Sequence, residues 1–333
     1  MTTPAHARFA ITGATGFIGR RLCRRIVADG GELVALVRKA SAHRVVAAAG
    51  VRPVTGDLVT GEGLRELVRG ADYVLHLGGL VKSRTDEGFR RCNEEGTRRL
   101  AEEVAASASP PPLVVCSSLA AAGPAREGRP RREEDPPRPV SRYGRSKLAA
   151  EEAVRALSDR LPATVVRPPI VYGPGDPAFL PSLLPMVRTG VVLKAGFGPR
   201  GYSLVHVDDV CEALLAAALR GRRLSAERPA DGVYSVSDGT THTWEDLCAA
   251  LARALGRRRG PLVLPVPLAL VGAVAGGAEL VGRVRGVHPP LNRDKAVELR
   301  SAWWTCSMER ARRELGFVPA VRLEEGLAEL LAR

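Results

Sequence analysis

The sequence predicts an α/β fold: a doubly wound parallel sheet joined to a smaller, partly discontinuous C-terminal lobe. Three observations predict it. Short β-branched runs alternate with helical patterns through the first half of the chain. A spaced set of glycines, Gly13, Gly16 and Gly19, falls where the first strand gives way to the first helix. From about Pro174 onwards, Pro-rich turns and separate helices replace the regular alternation. Alternation of that kind implies parallel strands linked by right-handed helical crossovers.

Taken in order, Phe9 to Thr12 reads as a strand, Phe17 to Ala28 as a helix and Leu33 to Val37 as a second strand. Val51 to Thr55, Tyr73 to Leu77 and Leu113 to Cys116 read as further strands, and after Thr164 to Arg167 the pattern becomes less regular. The segment Pro124 to Pro139, rich in Pro, Arg and Glu, reads as a surface loop leading into a helix that carries Tyr143. The division expected is a first domain over residues 1–173, which also receives segments around 203–236, and a lobe formed mainly by residues 174–333. No internal repeat is visible.

A chain of 333 residues can bury a substantial core, and 45% apolar with 26% charged residues is the composition of a soluble globular protein. The net charge of +13 comes mostly from arginine. Its basic residues are scattered (Arg20, Arg21, Arg24, Arg25; Arg131, Arg132; Arg257 to Arg259) and are not interleaved with aromatics. Nucleic-acid binding is therefore not expected, whereas attraction to anionic ligands is. The six cysteines form no CxxC pair, so no metal site or disulfide framework is expected, and reduced thiols in a cytoplasm fit better. Met1 to Arg8 is short and polar, which is not the pattern of a signal peptide. Leu262 to Ala278 is uncharged but interrupted by Pro265, Pro267, Gly272, Gly276 and Gly277, and is shorter than the ~20 residues of a membrane span. We read it as a substrate-covering helix, with contact to a membrane surface as the alternative.

The run Thr12-Gly13-Ala14-Thr15-Gly16-Phe17-Ile18-Gly19 has the chemistry of a phosphate-binding turn. Glycines there allow a tight turn and close approach of backbone to a pyrophosphate, and the helix that follows offers free N–H groups and a partial positive charge. The candidate dinucleotide contacts at this turn are Gly13, Thr15, Gly16, Phe17, Ile18 and Gly19. About 20 residues beyond such a turn an acidic residue usually grips the adenosine ribose. Here Arg38 and Lys39 occupy that place, directly after the second strand. An arginine pairs with a 2′-phosphate in two-pronged fashion, so NADP(H) is the expected cofactor, with NAD as the alternative.

Further along, Tyr143 and Lys147 stand four residues apart on a predicted helix and so share a face. A phenol with an ordinary pKa of about 10 needs a nearby positive charge to exchange protons near neutrality.

With these residues in place, the chain resembles the extended short-chain dehydrogenase/reductase family, also called the NAD-dependent epimerase/dehydratase family, over nearly its whole length. The resemblance is carried by the glycine turn, Gly56-Asp57-Leu58, His76-Leu77-Gly78-Gly79, Asn93 to Thr97, Ser117-Ser118, Tyr143 to Lys147, Arg167 to Pro174 and His206 to Asp209. It implies a Rossmann sheet, and it implies that Asp57 and Leu58 meet the adenine edge. By the same resemblance Leu77, Gly78 and Gly79 lie along the cofactor, and Pro168 and Ile170 face the nicotinamide. It also implies catalysis by Ser118, Tyr143 and Lys147, and a homodimer. Asp57 as a mere turn cap and Asn93 as a loop tie remain open, and His206 and Asp208 are read as scaffold.

In the implied chemistry Tyr143 exchanges the proton of the carbinol, Lys147 lowers the Tyr143 pKa and holds the nicotinamide ribose, and Ser118 hydrogen-bonds the substrate oxygen. Ser118 is preferred because strand alternation sends Ser117 to the opposite face; Ser117 remains the alternative hydroxyl.

Leu119 and Ala120 stand where family dehydratases carry acidic residues. Ile170 and Tyr202 stand where sugar-nucleotide epimerases carry an Asn and an Arg, with Arg200 as a partial substitute. Val266 to Val281 is apolar and suited to covering a lipophilic ligand. These features resemble the 3β-hydroxysteroid dehydrogenase and dihydroflavonol reductase-like branch. The expected function is an NADP(H)-dependent ketone reductase or alcohol dehydrogenase acting on a hydrophobic sterol-, polyketide- or keto-acyl-like substrate. The alternatives are an NAD-dependent sugar-nucleotide epimerase and a non-catalytic dinucleotide-sensing protein.

Overall fold

The computed structural model describes residues 6–39, 50–285, 289 and 291–331. Its centre is a parallel sheet of seven strands. In chain order these are β1 (Arg8–Thr12), β2 (Glu32–Val37), β3 (Val51–Thr55), β4 (Tyr73–His76), β5 (Leu113–Cys116) and β6 (Ala163–Arg167). After β7 (Ile170–Tyr172), β8 (Val191–Ala195), β9 (Gly201–Tyr202) and β10 (Leu204–His206) comes the seventh strand of the sheet, β11 (Val233–Ser235). The spatial order is β11-β6-β5-β4-β1-β2-β3. Central strands such as β5 are buried along their whole length, the pattern of a sheet covered on both faces.

The strand order reverses beside β1, because β2 and β3 lie on one side of it and β4, β5, β6 and β11 on the other. Loops leaving β1 and β4 therefore part at a crevice, the place where open parallel sheets bind ligands. One hydrophobic cluster packs Leu22 and Ile26 of the first helix and Leu214 of the helix Val207–Arg220 against Phe9 and Ile11. A second, on the opposite face, gathers Val34, Val74, Val115 and Leu100.

The remaining strands pair in small sheets: β7 with β10, β9 between β12 (His242–Thr243) and β14 (Trp303–Trp304), and β8 with β13 (Leu262–Val266). A third cluster, with Leu183, Val187, Val192 and Leu251, fills this part of the chain.

Two buried polar networks hold the crevice in shape. Gly78 N–H donates to Thr12 Oγ1 at 3.0 Å, Thr12 Oγ1 meets His76 Nδ1 at 2.6 Å, and His76 Nε2 meets Thr97 Oγ1 at 2.8 Å. The Thr97 hydroxyl donates onward to the Asn93 carbonyl at 2.5 Å. With that proton committed, Thr97 accepts from His76 Nε2–H, so the imidazole is neutral and every group in the chain is paired. Burial, helped by the Lys147 charge, pushes the His76 pKa down to about 3. In the second network Glu151 forms an ion pair with Arg167, both nearly fully buried, at 2.5 Å, and also accepts from the Ser117 hydroxyl. It clamps the Tyr143 helix to β5 and β6.

The His76 network carries a prediction. Unfolded histidine takes up a proton below pH 6.5, whereas the folded imidazole stays neutral to about pH 3. Folding stability should thus fall as pH drops from 6.5 towards 3, by about 1.4 kcal/mol per pH unit for this one proton. Chemical denaturation between pH 6 and pH 4 should show a slope shallower by about that amount in His76→Gln than in the parent. Equal slopes would mean that His76 does not set this dependence.

Candidate active site

The turn after β1 is built for close approach. Gly13 has φ +77°, and a Cβ there would stand 2.6 Å from the Leu77 carbonyl carbon and 2.7 Å from Gly78 N. A Cβ at Gly19 would collide with the Gly13 carbonyl. These glycines let the turn press against the end of β4, so any side chain at Gly13 is excluded twice, by conformation and by space. Gly16 caps the helix Phe17–Ala28 without a side-chain hydrogen bond, and no acidic residue stands in its first turn. That helix end presents N–H groups and positive potential at an exposed surface formed by Thr15 and Gly16, with Phe17 and Ile18 half-buried behind. The cradle fits a pyrophosphate.

From the glycine turn the crevice continues over Leu77, Gly78 and Gly79. Leu58 props this stretch, its Cδ1 lying 2.5 Å from where a Gly78 Cβ would be. At Gly79 a Cβ would sit 3.0 Å from Asn93 Oδ1 and 4.0 Å from Lys147 Nζ. A continuous floor thus joins the phosphate cradle to the lysine. Asn93 ties that floor to the Tyr143 helix: it donates to the Leu80 carbonyl and to Ser146 Oγ, each at 2.9 Å, and accepts Leu80 N–H at 2.6 Å. On the other side, Arg38 and Lys39 follow β2 directly and are exposed. Thr12 pairs with Leu36, which brings both side chains to the edge that carries the glycine turn. One Asp57 oxygen accepts Val59 N–H at 2.7 Å and caps its own loop.

Ser118 ends the extended run after β5 and caps the short helix Leu119–Ala122, accepting Ala120 N–H at 3.2 Å. Its side chain also acts on the Tyr143 phenol, favouring the phenolate. Tyr143 is the second residue of the helix Arg142–Arg155. Four residues on, buried Lys147 donates from Nζ to the Cys116 carbonyl at 2.7 Å. Strand alternation is visible in the partners of the two serines: Ser117 turns to Glu151, whereas Ser118 caps the helix Leu119–Ala122. Pro168 is buried and accepts Leu119 N–H at 2.8 Å, which fixes the segment bearing Ser118, and Ile170 opens β7 half-buried.

Three features that hold Tyr143 in place were not anticipated from the sequence. A Cβ on Gly144 would collide with the Ala120 carbonyl oxygen and stand 3.1 Å from its carbon, so the glycine lets the Tyr143 helix lie directly on the Ser118 helix. Asp294, from the helix Arg293–Arg300 of the C-terminal part, accepts Arg142 N–H at 2.6 Å and Tyr143 N–H at 3.2 Å. Ser141 adds a cap on Gly144 N–H at 2.9 Å. The glycine between Tyr and Arg was a legible signal, but the reach of Asp294 over 151 residues was not.

Burial sets the electrostatics. It pushes the Tyr143 phenol above its ordinary pKa, the Cys116 thiol and the Glu298 carboxylate push the same way, and the Ser118 hydrogen bond opposes them. The phenol is therefore protonated at neutral pH. Burial also lowers the Lys147 pKa. Its ammonium points at the Cys116 carbonyl.

Other polar groups are committed elsewhere. Asp208 forms a two-pronged pair with Arg21, Asp209 accepts Ala320 N–H at 2.8 Å, and His206 caps Asp208, so this group joins helices and loops. Arg200 is buried and donates to the carbonyls of Ala195, Leu299 and Ser301 and to the Tyr202 hydroxyl. It is spent on structure, not open to a diphosphate. A surface pocket of about 420 Å³, lined by residues including Pro130, Thr240 and Arg312, contains none of Ser118, Tyr143 and Lys147.

Comparison with known proteins gives the family. The profile of the NAD dependent epimerase/dehydratase family matches residues 9–230. The ceramide reductase of Caulobacter vibrioides is 34% identical over 311 residues, covering 92% of this chain and 88% of the relative. The 4-hydroxy-2-methyl-3-oxo-4-farnesyl-3,4-dihydroquinoline-1-oxide ketoreductase of Stigmatella aurantiaca is 32% identical, covering 97% and 95%. Among solved structures, MoeE5 in complex with UDP-glucuronic acid and NAD superposes with a TM-score of 0.74 at 26% identity, covering 98% of both chains. The chain is an NAD(P)-dependent oxidoreductase and belongs to the NAD-dependent epimerase/dehydratase family.

Proposed function

We propose that this enzyme reduces a ketone on a long, apolar substrate at the expense of NADPH, with Ser118, Tyr143 and Lys147 as its catalytic residues. The observation that carries the reading is the convergence of the Ser118 side chain, which acts on the Tyr143 phenol, with buried Lys147 one helical turn along the same helix. The chemistry a bound dihydronicotinamide supplies is a hydride for the carbonyl carbon. Tyr143, kept protonated by burial, donates its phenolic proton to the oxygen that gains charge. Ser118 stabilises that oxygen by hydrogen bonding. The proton lost from Tyr143 is returned from solvent between turnovers, and Lys147 favours the phenolate in the interval.

For the cofactor, Gly13, Thr15, Gly16, Phe17, Ile18 and Gly19 would hold the pyrophosphate, and Leu77 to Gly79 with Lys147 the nicotinamide half. Asp57 and Leu58 would flank the adenine. Arg38, helped by Lys39, would pair with a 2′-phosphate. The substrate class rests on two supports: the relatives named above reduce a ceramide and a farnesylated quinoline oxide, and Arg200 is unavailable for a sugar-nucleotide diphosphate.

The test uses a long-chain β-keto ester as substrate, with NADPH or NADH in turn. The parent should prefer NADPH. Arg38→Asp should lower the NADPH-to-NADH ratio of kcat/KM by about 10- to 100-fold, the worth of a charge-assisted pair. An unchanged ratio would remove Arg38 from the account, and inertness towards every keto ester would remove the substrate class.

A further inference from the structure

We propose that the β8–β13 ribbon and the helix Leu268–Arg285 form a surface that docks on an anionic lipid bilayer. The proposal stands on this surface alone and does not depend on the assignment of substrate.

The ribbon turns an apolar face to water. β8 and β13 run parallel, with Val191 opposite Leu262 and Leu193 opposite Leu264. All four side chains are exposed, Leu193 by 53% and Leu262 by 61%, while Val192 between them is fully buried in the core. The side of the ribbon that meets water is thus apolar. Phe197, 71% exposed, follows β8 in the loop whose Gly196 N–H bonds the last residue of β13.

The helix repeats the pattern. Between Ala269 and Val281 its exposed positions are Ala269, Leu270, Ala273, Val274, Gly277, Leu280 and Val281, which recur every three to four residues and so lie on one face. A water-facing stripe on a surface helix is ordinarily polar. Between Ala269 and Val281 it holds no polar side chain. The helix has one carboxylate, Glu279, which is half-buried and accepts Arg293 N–H at 3.3 Å. Exposed apolar surface on two adjoining elements marks an interaction site.

Charge selects the occupant. Arg188 precedes β8, and Arg257, Arg258 and Arg259 precede β13, so these four exposed arginines rim the end where both parallel strands begin. Arg257 ties the two segments by donating to the carbonyls of Val187 and Arg188 at 2.8 and 2.6 Å. Exposed Arg285 stands at the end of the helix. Apolar side chains bordered by arginines, on a chain of net charge +13, complement acyl chains beneath anionic headgroups. Among the described residues no helix is long and apolar enough to cross a membrane, so the contact is with its surface.

The experiment is flotation of the full-length protein with vesicles of phosphatidylcholine alone or mixed equally with phosphatidylglycerol, alongside sedimentation to read the oligomeric state. The protein should float with the mixed vesicles, less so at high salt, and weakly or not at all with phosphatidylcholine alone. Leu193→Asp with Leu264→Asp should weaken binding by about tenfold or more, as should Arg258→Glu with Arg259→Glu. Both pairs should keep the parent Tm and the parent rate on a water-soluble ketone. If the first pair lowers Tm, Leu270→Asp with Val274→Asp asks the same question on the helix. Absence of binding to mixed vesicles overturns the proposal. So does an oligomer that these substitutions dissociate without any effect on flotation, which would assign the face to a second copy of the chain.

Discussion

Tyr143→Phe should lower kcat by about 10²- to 10⁴-fold while leaving the dinucleotide Kd within about twofold. The substitution removes one oxygen. The ring stays, so its tilted packing on Phe89, with centroids 6.2 Å apart, persists. The glycine cradle, the Leu77 to Gly79 floor and Arg38 are untouched. What is lost is the proton source for the alkoxide. Stopped-flow fluorescence of NADPH binding, with steady-state rates, separates the two parameters. A variant with parent turnover would show that the proton comes from elsewhere.

Gly144→Ala should cost about 10²-fold in kcat, although the alanine touches neither substrate nor cofactor. Its Cβ would overlap the Ala120 carbonyl, so the Tyr143 helix must move away from the helix that Ser118 caps. A displacement of about 1 Å is enough to spoil alignment at a reacting centre. Stability should fall as well, by about 1–3 kcal/mol, since backbone offers no flexible side chain that could give way. The diagnostic is a fall in kcat with cofactor affinity retained. If kcat stays at the parent value, contact between these helices does not position the phenol.

The first five strands of the main sheet were legible because each is short, mostly apolar and followed by a helix or turn signal, whereas β11 was not read as a strand. Val51 to Thr55 and Leu113 to Cys116 end where the sequence places them. The glycine turn was legible for a steric reason that the structure supplies, the pressure of Gly13 on Leu77 and Gly78. The small sheets were not legible. Strands of two or three residues, such as β9, β12 and β14, carry no period, and their pairing joins residues about 40 and 100 positions apart. Asp294 was invisible for the same reason: nothing local to Asn292-Arg293-Asp294 announces a cap on a helix 151 residues earlier. The apolar helix was found by composition and read as a cover for a ligand. Composition does not say which face turns outward, and the face with Leu270 and Val274 meets solvent.

The central claim is that hydride passes from the nicotinamide to a carbonyl carbon and stays there. Mass spectrometry of the product formed from a long-chain β-keto ester and NADPH deuterated at the transferable C4 position tests it most directly. The account predicts one deuterium at the carbinol carbon of each product molecule and an equal amount of NADP⁺, with both signals reduced in step in Tyr143→Phe. A product without deuterium, or a sugar nucleotide epimerised while the nicotinamide returns to its starting redox state, would contradict it.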